Sequence, residues 1–240
     1  MESVVFLHGF SGTRHAWEET IAALPPERYT PLALDLPGHG EQTDAQRPIG
    51  FEGCVASVLE RSPDRFVLVG YSMGGRVGLH VALAAPRRVC GLVLVSATAG
   101  IEDPRERAER READRRLAAE IAASPIEDFV ERWGSQSMFA ADPPEVGARA
   151  RADQLRNRPD GVAAALNGIG TGEMQPLWSL LGELTMPVAV VAGERDIKFC
   201  ELGRRMAAQL PDANLRIVAG GHRLPYEHPD AILAALAAVS

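Results

Sequence analysis

Six short apolar runs, separated by segments of helical character, limit the folds open to this chain more than any other feature of its sequence. They lack the alternation of apolar and polar residues that marks a strand with one solvent-facing side, which is typical of strands covered on both faces. Helical patterns lie between them, and this alternation of strands and helices predicts an α/β fold with a mostly parallel, doubly wound sheet. The runs are SVVFLH from Ser3, PLALD from Pro31, FVLVG from Phe66, CGLVLVS from Cys90, PVAVVA from Pro187 and NLRIVA from Asn214.

A long segment in the middle of the chain interrupts this alternation. Residues 100–175 contain helical patterns but no strand pattern, and they are too many for a simple connection. We therefore predict a helical cap over residues 100–175 and an α/β core formed by residues 1–99 and 176–240. Asp103 and Pro104 predict the start of the first cap helix, because Asp is a favoured N-cap and Pro favours the first helical position.

A serine lies in a glycine-rich turn after the third apolar run. The pentapeptide GYSMG, from Gly70 to Gly74, has Ser72 at its centre, between a predicted strand and a predicted helix. Small residues on both sides relieve the crowding of such a sharp turn, which holds the serine Oγ clear of the sheet at the positive end of the following helix. The alternative is an ordinary glycine-rich turn that happens to contain a serine.

A serine hydroxyl becomes a useful nucleophile or base only with an imidazole partner, and the imidazole needs an orienting carboxylate. Asp196 comes just after the fifth apolar run and His222 just after the sixth. The carboxyl ends of parallel strands meet at one edge of an open sheet, so the sequence predicts a triad of Ser72, Asp196 and His222 there. The alternatives are nearby loop residues: Glu194 or Asp230 as the carboxylate, and His228 as the imidazole.

The turn after the first strand is expected to lie beside this triad and to complete the site. Its sequence is FLHGFSG, and the pair His8-Gly9 permits a sharp bend. We expect the backbone amides of Phe10 and Met73 to form an oxyanion pocket. We expect His8 to hydrogen-bond the turn rather than to take part in the chemistry.

Composition excludes several classes of function. A formal net charge of −7 argues against nucleic acid as a partner. No apolar run is long enough to span a bilayer, and no basic segment precedes the first apolar run, so a cytoplasmic protein without a membrane partner is expected. The cysteines Cys54, Cys90 and Cys200 are scattered without ligand spacing, which predicts reduced thiols and no metal site. The chemistry of the triad requires no cofactor, and none is expected.

The motifs LHGFSG, LDLPGHG, GYSMGG, GERD and GGH, in this order, resemble the α/β-hydrolase superfamily. The resemblance implies a catalytic triad and an α/β-hydrolase fold with a helical cap. Most relatives have an N-terminal β-hairpin before the strand that leads to the His-Gly pair. The printed sequence has no room for one, so we expect the strand Pro31–Asp35 to lie at an exposed edge.

A closer resemblance covers nearly the whole chain. The segments GYSMGGR, RERAERREADRR, FVERWGSQSMF, DQLRNR and GERDIKF are similar to the SHCHC synthase family of menaquinone biosynthesis, whose members form 2-succinyl-6-hydroxy-2,4-cyclohexadiene-1-carboxylate by expelling pyruvate from a polycarboxylate precursor. Gly134 and Ser137-Met138 depart from the family pattern, which implies a looser pocket wall. The resemblance implies these roles: Ser72, Asp196 and His222 as the triad, Arg76, Arg110 and Arg156 as carboxylate ligands, and Tyr71 and Trp133 as pocket lining.

The arginines can also be interpreted without the family. Arg110 shares a helical stripe with Leu117 and Ile121, which predicts that it points inward and needs an anion or a hydrogen-bond partner. Asp114, one turn later, is the structural alternative to a substrate carboxylate. Arg76 comes one helical turn after Ser72, where it could hold an acid group near Oγ.

Three functional hypotheses follow from the sequence. The first is a cofactor-free, pyruvate-eliminating lyase in which Ser72, activated by His222, takes a proton from a small polycarboxylate substrate. The second is a serine hydrolase, such as a carboxylesterase or a C–C bond hydrolase, that uses the same triad with Ser72 as the nucleophile. The third is a ligand-binding protein on a hydrolase fold, which has no need of an intact triad. The sequence does not indicate an oligomeric state.

Overall fold

The computed structural model describes all 240 residues, and its centre is a six-stranded sheet in which every neighbouring pair is parallel. The spatial order is β2-β1-β3-β4-β5-β6, so the direction in which strands are added reverses between β1 and β3. This arrangement confirms the predicted doubly wound fold. The strands are β1 Glu2–Leu7, β2 Tyr29–Leu34, β3 Phe66–Tyr71, β4 Val89–Val95, β5 Val188–Gly193 and β6 Ala213–Val218.

Helices cover both faces of the sheet. Successive side chains of β1 point to opposite faces: Val5 and Leu7 join one hydrophobic cluster, and Val4 and Phe6 join another. Helices α2, α3 and α8 contribute to the first cluster, and α9 and α10 contribute to the second. The helices outside the segment between β4 and β5 are α1 Glu18–Ala22, α2 Phe51–Arg61, α3 Met73–Ala84, α8 Ile197–Ala207, α9 Leu224–Glu227 and α10 Pro229–Ala237.

The two edge strands differ from the four strands between them. The predicted edge position of the Pro31–Asp35 strand is confirmed, since β2 pairs only with β1. The expectation that all six strands are covered on both faces is wrong for β6, in which no residue is buried. The reason is that β6 has one neighbouring strand and helices cover it incompletely, which apolar composition alone does not reveal.

Four helices and no strand lie between β4 and β5. The first of them begins where the sequence predicted, because Asp103 Oδ1 accepts hydrogen bonds from the amides of Arg105 at 2.8 Å and Glu106 at 2.9 Å. Ile121, Phe129 and other side chains of these helices form a small hydrophobic cluster of their own. The division into a core and a cap at residues 100 and 175 stays a prediction. The four helices are α4 Pro104–Ala122, α5 Ile126–Gly134, α6 Pro144–Gln154 and α7 Pro159–Ile169.

None of the helices combines the length and the apolar character needed to cross a membrane.

Candidate active site

Ser72 sits on a strained turn between β3 and α3. Its φ of 51° and ψ of −107° lie in a region that side-chain-bearing residues rarely adopt. The flanking glycines make the turn possible: a Cβ on Gly74 would lie 2.3 Å from the carbonyl oxygen of Leu7, and one on Gly70 would lie 2.5 Å from the carbonyl oxygen of Gly74. The Ser72 amide donates to the Val95 carbonyl oxygen at 2.8 Å, which ties the turn to β4.

The structure brings Ser72, His222 and Asp196 together in a hydrogen-bonded relay. His222 Nε2 lies 3.1 Å from Ser72 Oγ, and His222 Nδ1 lies 2.6 Å from Asp196 Oδ2. The side chains of His222 and Asp196 are only 5% and 8% exposed, so little water competes for these bonds. Because Nδ1–H donates to the carboxylate, Nε2 is free to accept the serine proton.

The alternative triad members lie elsewhere. Glu194 is exposed, and its backbone amide extends the pairing with β6 by donating to the Val218 carbonyl oxygen. His228 is the N-cap residue of α10, and its ring lies 3.8 Å from Asp230 rather than beside Ser72. The geometry therefore leaves Asp196 and His222 as the partners of the serine.

The loop after β1 presents an amide to the same region. Neither the Phe10 amide nor the Met73 amide donates to an acceptor within the chain, and Phe10 lines the cavity above Ser72. The expectation for His8 is confirmed: its Nδ1 donates to the Gly9 carbonyl oxygen at 2.8 Å, and its Nε2 accepts from the Leu36 amide at 3.0 Å. Burial lowers the pKa of His8, which keeps this imidazole neutral.

A cavity of about 720 Å³ opens between the strand ends and helices α4–α7. Ser72 and His222 lie in its wall, and Tyr71 and Trp133 supply aromatic lining as the resemblance implied. The ring of Tyr71 is 5.4 Å from that of His222, and the ring of Trp133 is 5.1 Å from that of Phe10. A wall that combines this polar relay with aromatic and charged side chains suits an organic substrate with a few charged groups.

Arg76 brings a positive charge to this cavity without a carboxylate to neutralise it. The residue is 7% exposed, and its Nη1 donates to the backbone carbonyl oxygen of Ile169 at 2.6 Å. Burial, with a smaller contribution from the nearby Arg110, lowers the pKa of Arg76 to about 10. A buried guanidinium bound only to a backbone carbonyl is a strong binding group for an anionic ligand.

Arg110 both pairs with an acid of its own helix and faces the cavity, the two alternatives that the sequence left open. Its Nε donates to Asp114 Oδ1 at 2.7 Å, which is the structural alternative, and it also lines the cavity. The Arg110 side chain is 41% exposed, whereas that of Asp114 is only 6% exposed. The ion pair therefore satisfies a buried carboxylate and leaves part of the guanidinium facing the cavity.

Arg156 does not lie in the cavity, and its predicted place there is corrected. It is exposed and borders a separate depression of about 150 Å³, together with Arg149 and Pro225. The physical reason lies in the neighbouring positions: Asp153 and Gln154 at the end of α6 point towards the core, which turns Arg156 outward. Proximity in the sequence to a helix end could not reveal this direction.

Three cationic residues in the cavity wall were missed by sequence reasoning: Lys198, Arg205 and Arg223. Arg205 pairs with Glu102 at 2.5 Å, and Arg223 pairs with Asp142 at 3.1 Å. Lys198 and Arg223 could have been found, because Lys198 lies two residues after Asp196 and Arg223 directly follows His222. The pairing of Arg205 and Arg223 with acids distinguishes them from Arg76.

Comparison with known proteins identifies relatives over nearly the full length of the chain. The family model described as "Alpha/beta hydrolase family" matches residues 4–235. A Bacillus subtilis (strain 168) protein, named provisionally as 2-succinyl-6-hydroxy-2,4-cyclohexadiene-1-carboxylate synthase, is 36% identical over 95% of this chain and 86% of its own length. The Escherichia coli O1:K1 / APEC protein named as the same synthase is 32% identical over 98% of this chain and 92% of its own length.

Solved structures are also similar to this chain over nearly its full length. MenH from S. aureus superimposes with a TM-score of 0.89 at 31% identity, covering 98% of this chain and 93% of that chain. A thermophilic esterase from Thermogutta terrifontis, solved with malate bound, gives a TM-score of 0.84 at 27% identity, covering 99% of this chain and 88% of that chain. The helices between β4 and β5 are therefore included in both similarities.

Proposed function

The chain belongs to the alpha/beta hydrolase family and, within it, to the family of 2-succinyl-6-hydroxy-2,4-cyclohexadiene-1-carboxylate synthases, and we propose that it is a pyruvate-eliminating lyase that forms this product. One observation carries the proposal. The relay from Ser72 through His222 to Asp196 opens into a cavity in which the Arg76 guanidinium, one helical turn from the serine, has no carboxylate partner. A base beside an unneutralised cation suits a substrate that bears carboxylates.

In this proposal Ser72 acts as a base. His222 Nε2 accepts the hydroxyl proton while Oγ takes a proton from the substrate, and Asp196 stabilises the imidazolium that forms. The product name gives a succinyl ketone on carbon 2 of a 2,4-diene ring, so we assign the transferred proton to that carbon. Its removal develops negative charge on the ketone oxygen, which the amides of Phe10 and Met73 can stabilise.

The electrons left by this proton form the conjugated diene and break the bond between the ring carbon and the pyruvyl oxygen. That oxygen leaves with the bonding electrons, takes up a proton and rearranges to the ketone of pyruvate. No water is consumed, and His222 can return the proton it received. The chain therefore needs only a proton acceptor, amides for the developing charge and cations for the carboxylates.

The carboxylates of the substrate are assigned to the cations that face the cavity. Arg76 is the first, because it forms no ion pair and the nearby Asp114 is already paired with Arg110. Arg110 is the second, because part of its guanidinium faces the cavity beside its bond to Asp114. Tyr71 and Trp133 supply apolar contact for the ring. A small polycarboxylate as the ligand, and a cytoplasmic location, stay predictions.

A serine hydrolase is the second candidate, and two observations favour it. The amides of Phe10 and Met73 are free to bind the oxyanion of an acyl intermediate, and the similar Thermogutta protein is an esterase. That esterase was solved with malate, a dicarboxylate, bound. The cation beside the serine argues against simple neutral esters as the preferred substrates.

The experiment that separates the candidates follows pyruvate with a lactate-dehydrogenase-coupled assay. The menaquinone precursor is incubated with the wild type and with Ser72→Ala, and short chromogenic esters are tested in parallel. The proposal expects stoichiometric pyruvate from the wild type, loss of release in Ser72→Ala, and slow ester turnover. An inert precursor together with fast ester turnover and an acyl-enzyme burst would establish the hydrolase, and inertness towards both would favour a ligand-binding protein.

A further inference from the structure

The loop that carries the Phe10 amide has an unfavourable backbone conformation. The next residue, Ser11, has a φ of 60°, in the left-handed region that side-chain-bearing residues seldom occupy. Such a conformation is unfavourable for a residue with a side chain and persists only where the surroundings fix it. The contacts that fix this loop therefore determine where the Phe10 amide points.

Those contacts come mainly from the end of α6 and the residues after it, about 140 positions later in the chain. Gln154 Nε2 donates to Ser11 Oγ at 2.8 Å, and Asn157 Nδ2 donates to the Ser11 carbonyl oxygen at 2.7 Å. The Thr13 amide donates to Asp153 Oδ2 at 2.9 Å, and the Thr13 hydroxyl donates to Asp153 Oδ1. Gln154, Asn157 and Asp153 are each 5% exposed or less, so water cannot replace these bonds easily.

Asp153 also reaches the segment that carries the catalytic imidazole. The Tyr226 hydroxyl donates to Asp153 Oδ2 at 2.7 Å, and Tyr226 lies four residues after His222. Burial and the neighbouring Asp153 raise the pKa of Tyr226 well above its ordinary value, so the phenol remains a donor. One buried carboxylate thus accepts bonds from the Phe10 loop and from the His222 segment.

We infer that Asp153, near the end of α6, is a positioning residue that fixes the Phe10 amide and the His222 segment relative to each other. It does not line the cavity that contains Ser72, so it acts through the residues it binds rather than on the substrate. All three of its donors are neutral, which makes it sensitive to substitution: Asn at this position would present its amide N–H groups to one or more of them. A displaced Phe10 amide would stabilise developing negative charge less well.

The inference rests on the proposed oxyanion role of Phe10, but its test does not depend on the natural substrate. Phenylboronic acid adds to a serine Oγ and forms a tetrahedral anion whose oxygen occupies the oxyanion position. Its affinity, followed by the fluorescence of Trp133 and Trp178 in the cavity wall, reports the arrangement of Ser72, His222 and the Phe10 amide. The pyruvate assay is run on the same samples, with kcat and KM measured separately.

The variants are Asp153→Asn and Thr13→Val, with Thr13→Ser as the matched control that keeps the hydroxyl donor. Val58→Ala, in a fully buried position of α2, controls for loss of stability alone. We expect Asp153→Asn to weaken boronate binding and to lower kcat by about tenfold or more, with KM within about twofold. Thr13→Val should follow in the same direction, while Thr13→Ser and Val58→Ala bind boronate like the wild type.

Two results would overturn the inference. One is a wild type that does not bind the boronate, and the other is boronate affinity and kcat within twofold of wild type in both Asp153→Asn and Thr13→Val, whatever their melting temperatures. If Asp153→Asn does not fold, the comparison of Thr13→Val with Thr13→Ser decides the question. A wild type that binds boronate but releases no pyruvate contradicts the proposed lyase activity, and the boronate series still decides the role of Asp153.

Discussion

The Arg76 guanidinium donates to the backbone carbonyl oxygen of Ile169 at 2.6 Å, so α3, which begins at the serine turn, is joined to the end of α7 by a charged donor. The bond leaves the positive charge of Arg76 without a neutralising carboxylate in the chain. The same residue therefore connects the two sides of the cavity and supplies a buried cation that has no ion-pair partner.

Arg76→Met should raise KM for the polycarboxylate substrate by about tenfold to a hundredfold, since a hydrogen bond to a charged group contributes about 1.5–3 kcal/mol. The melting temperature should change little, because the variant loses one bond to Ile169 but also removes a buried charge. Steady-state kinetics and thermal unfolding measure the two effects. An unchanged KM with a marked fall in melting temperature would make Arg76 a structural residue only.

Arg156→Met is the matched substitution outside the cavity. Because Arg156 is exposed and does not line the cavity, kcat and KM should stay within about twofold of wild type, as is usual for surface positions away from a site. Kinetics measured alongside Arg76→Met test this directly. A large rise in KM would mean that Arg156 reaches the substrate and that the correction drawn from the structure is wrong.

Arg110 has a structural role in its ion pair with Asp114 and a proposed role in substrate binding, and two variants distinguish these roles. Arg110→Met should raise KM and also lower the melting temperature, because it leaves the buried Asp114 carboxylate with only the Gly172 amide, at 3.3 Å, as a donor. Adding Asp114→Asn removes the unpaired charge, so the double variant should regain stability while KM stays high. Recovery of KM together with stability would show that Arg110 acts on the fold and not on the substrate.

Buried histidines predict how stability depends on pH. Burial lowers the pKa of His8 and of His39, so both are neutral in the folded chain, whereas the unfolded chain protonates them near their ordinary pKa of 6.5. Below that pH the unfolded state binds more protons, so the free energy of unfolding should fall as pH decreases from 7.5 to 5.5.

Each such histidine contributes a slope of at most about 1.4 kcal/mol per pH unit below its unfolded pKa. Urea unfolding at several pH values measures this slope in the wild type and in His39→Gln, where it should be shallower. An equal slope in the two proteins would contradict the assignment to His39.

The sequence predicted the parts of the site that lie next to strands. Ser72, Asp196 and His222 each follow an apolar run, and parallel strands bring such ends together regardless of the details of packing. The glycines around Ser72 likewise mark its turn, although the structure was needed to show that a Cβ on Gly74 would meet Leu7 of β1. The edge position of β2 was expected from the resemblance to the α/β-hydrolase superfamily, and the strand order was not predicted.

The contacts made by the end of α6 were not predictable in this way. Asp153 and Asn157 bind a loop near the beginning of the chain, and neither periodicity nor a local motif encodes so distant a partner. For the same reason, the outward direction of Arg156 could not be predicted, since the direction of a side chain after a helix end depends on what the helix packs against. The two roles of Arg110 also needed the structure, because Asp114 and the cavity both lie within its reach.

The mass of the ring product formed from the menaquinone precursor tests the central claim most directly. Elimination predicts a product equal in mass to the precursor less one pyruvate, with no oxygen-18 in the ring product when the reaction is run in labelled water. Hydrolysis predicts a ring product heavier by one water, which carries solvent oxygen only where water replaces the pyruvyl oxygen on the ring carbon. A hydrated ring product that forms in the wild type and not in Ser72→Ala, with or without the label, would contradict the account.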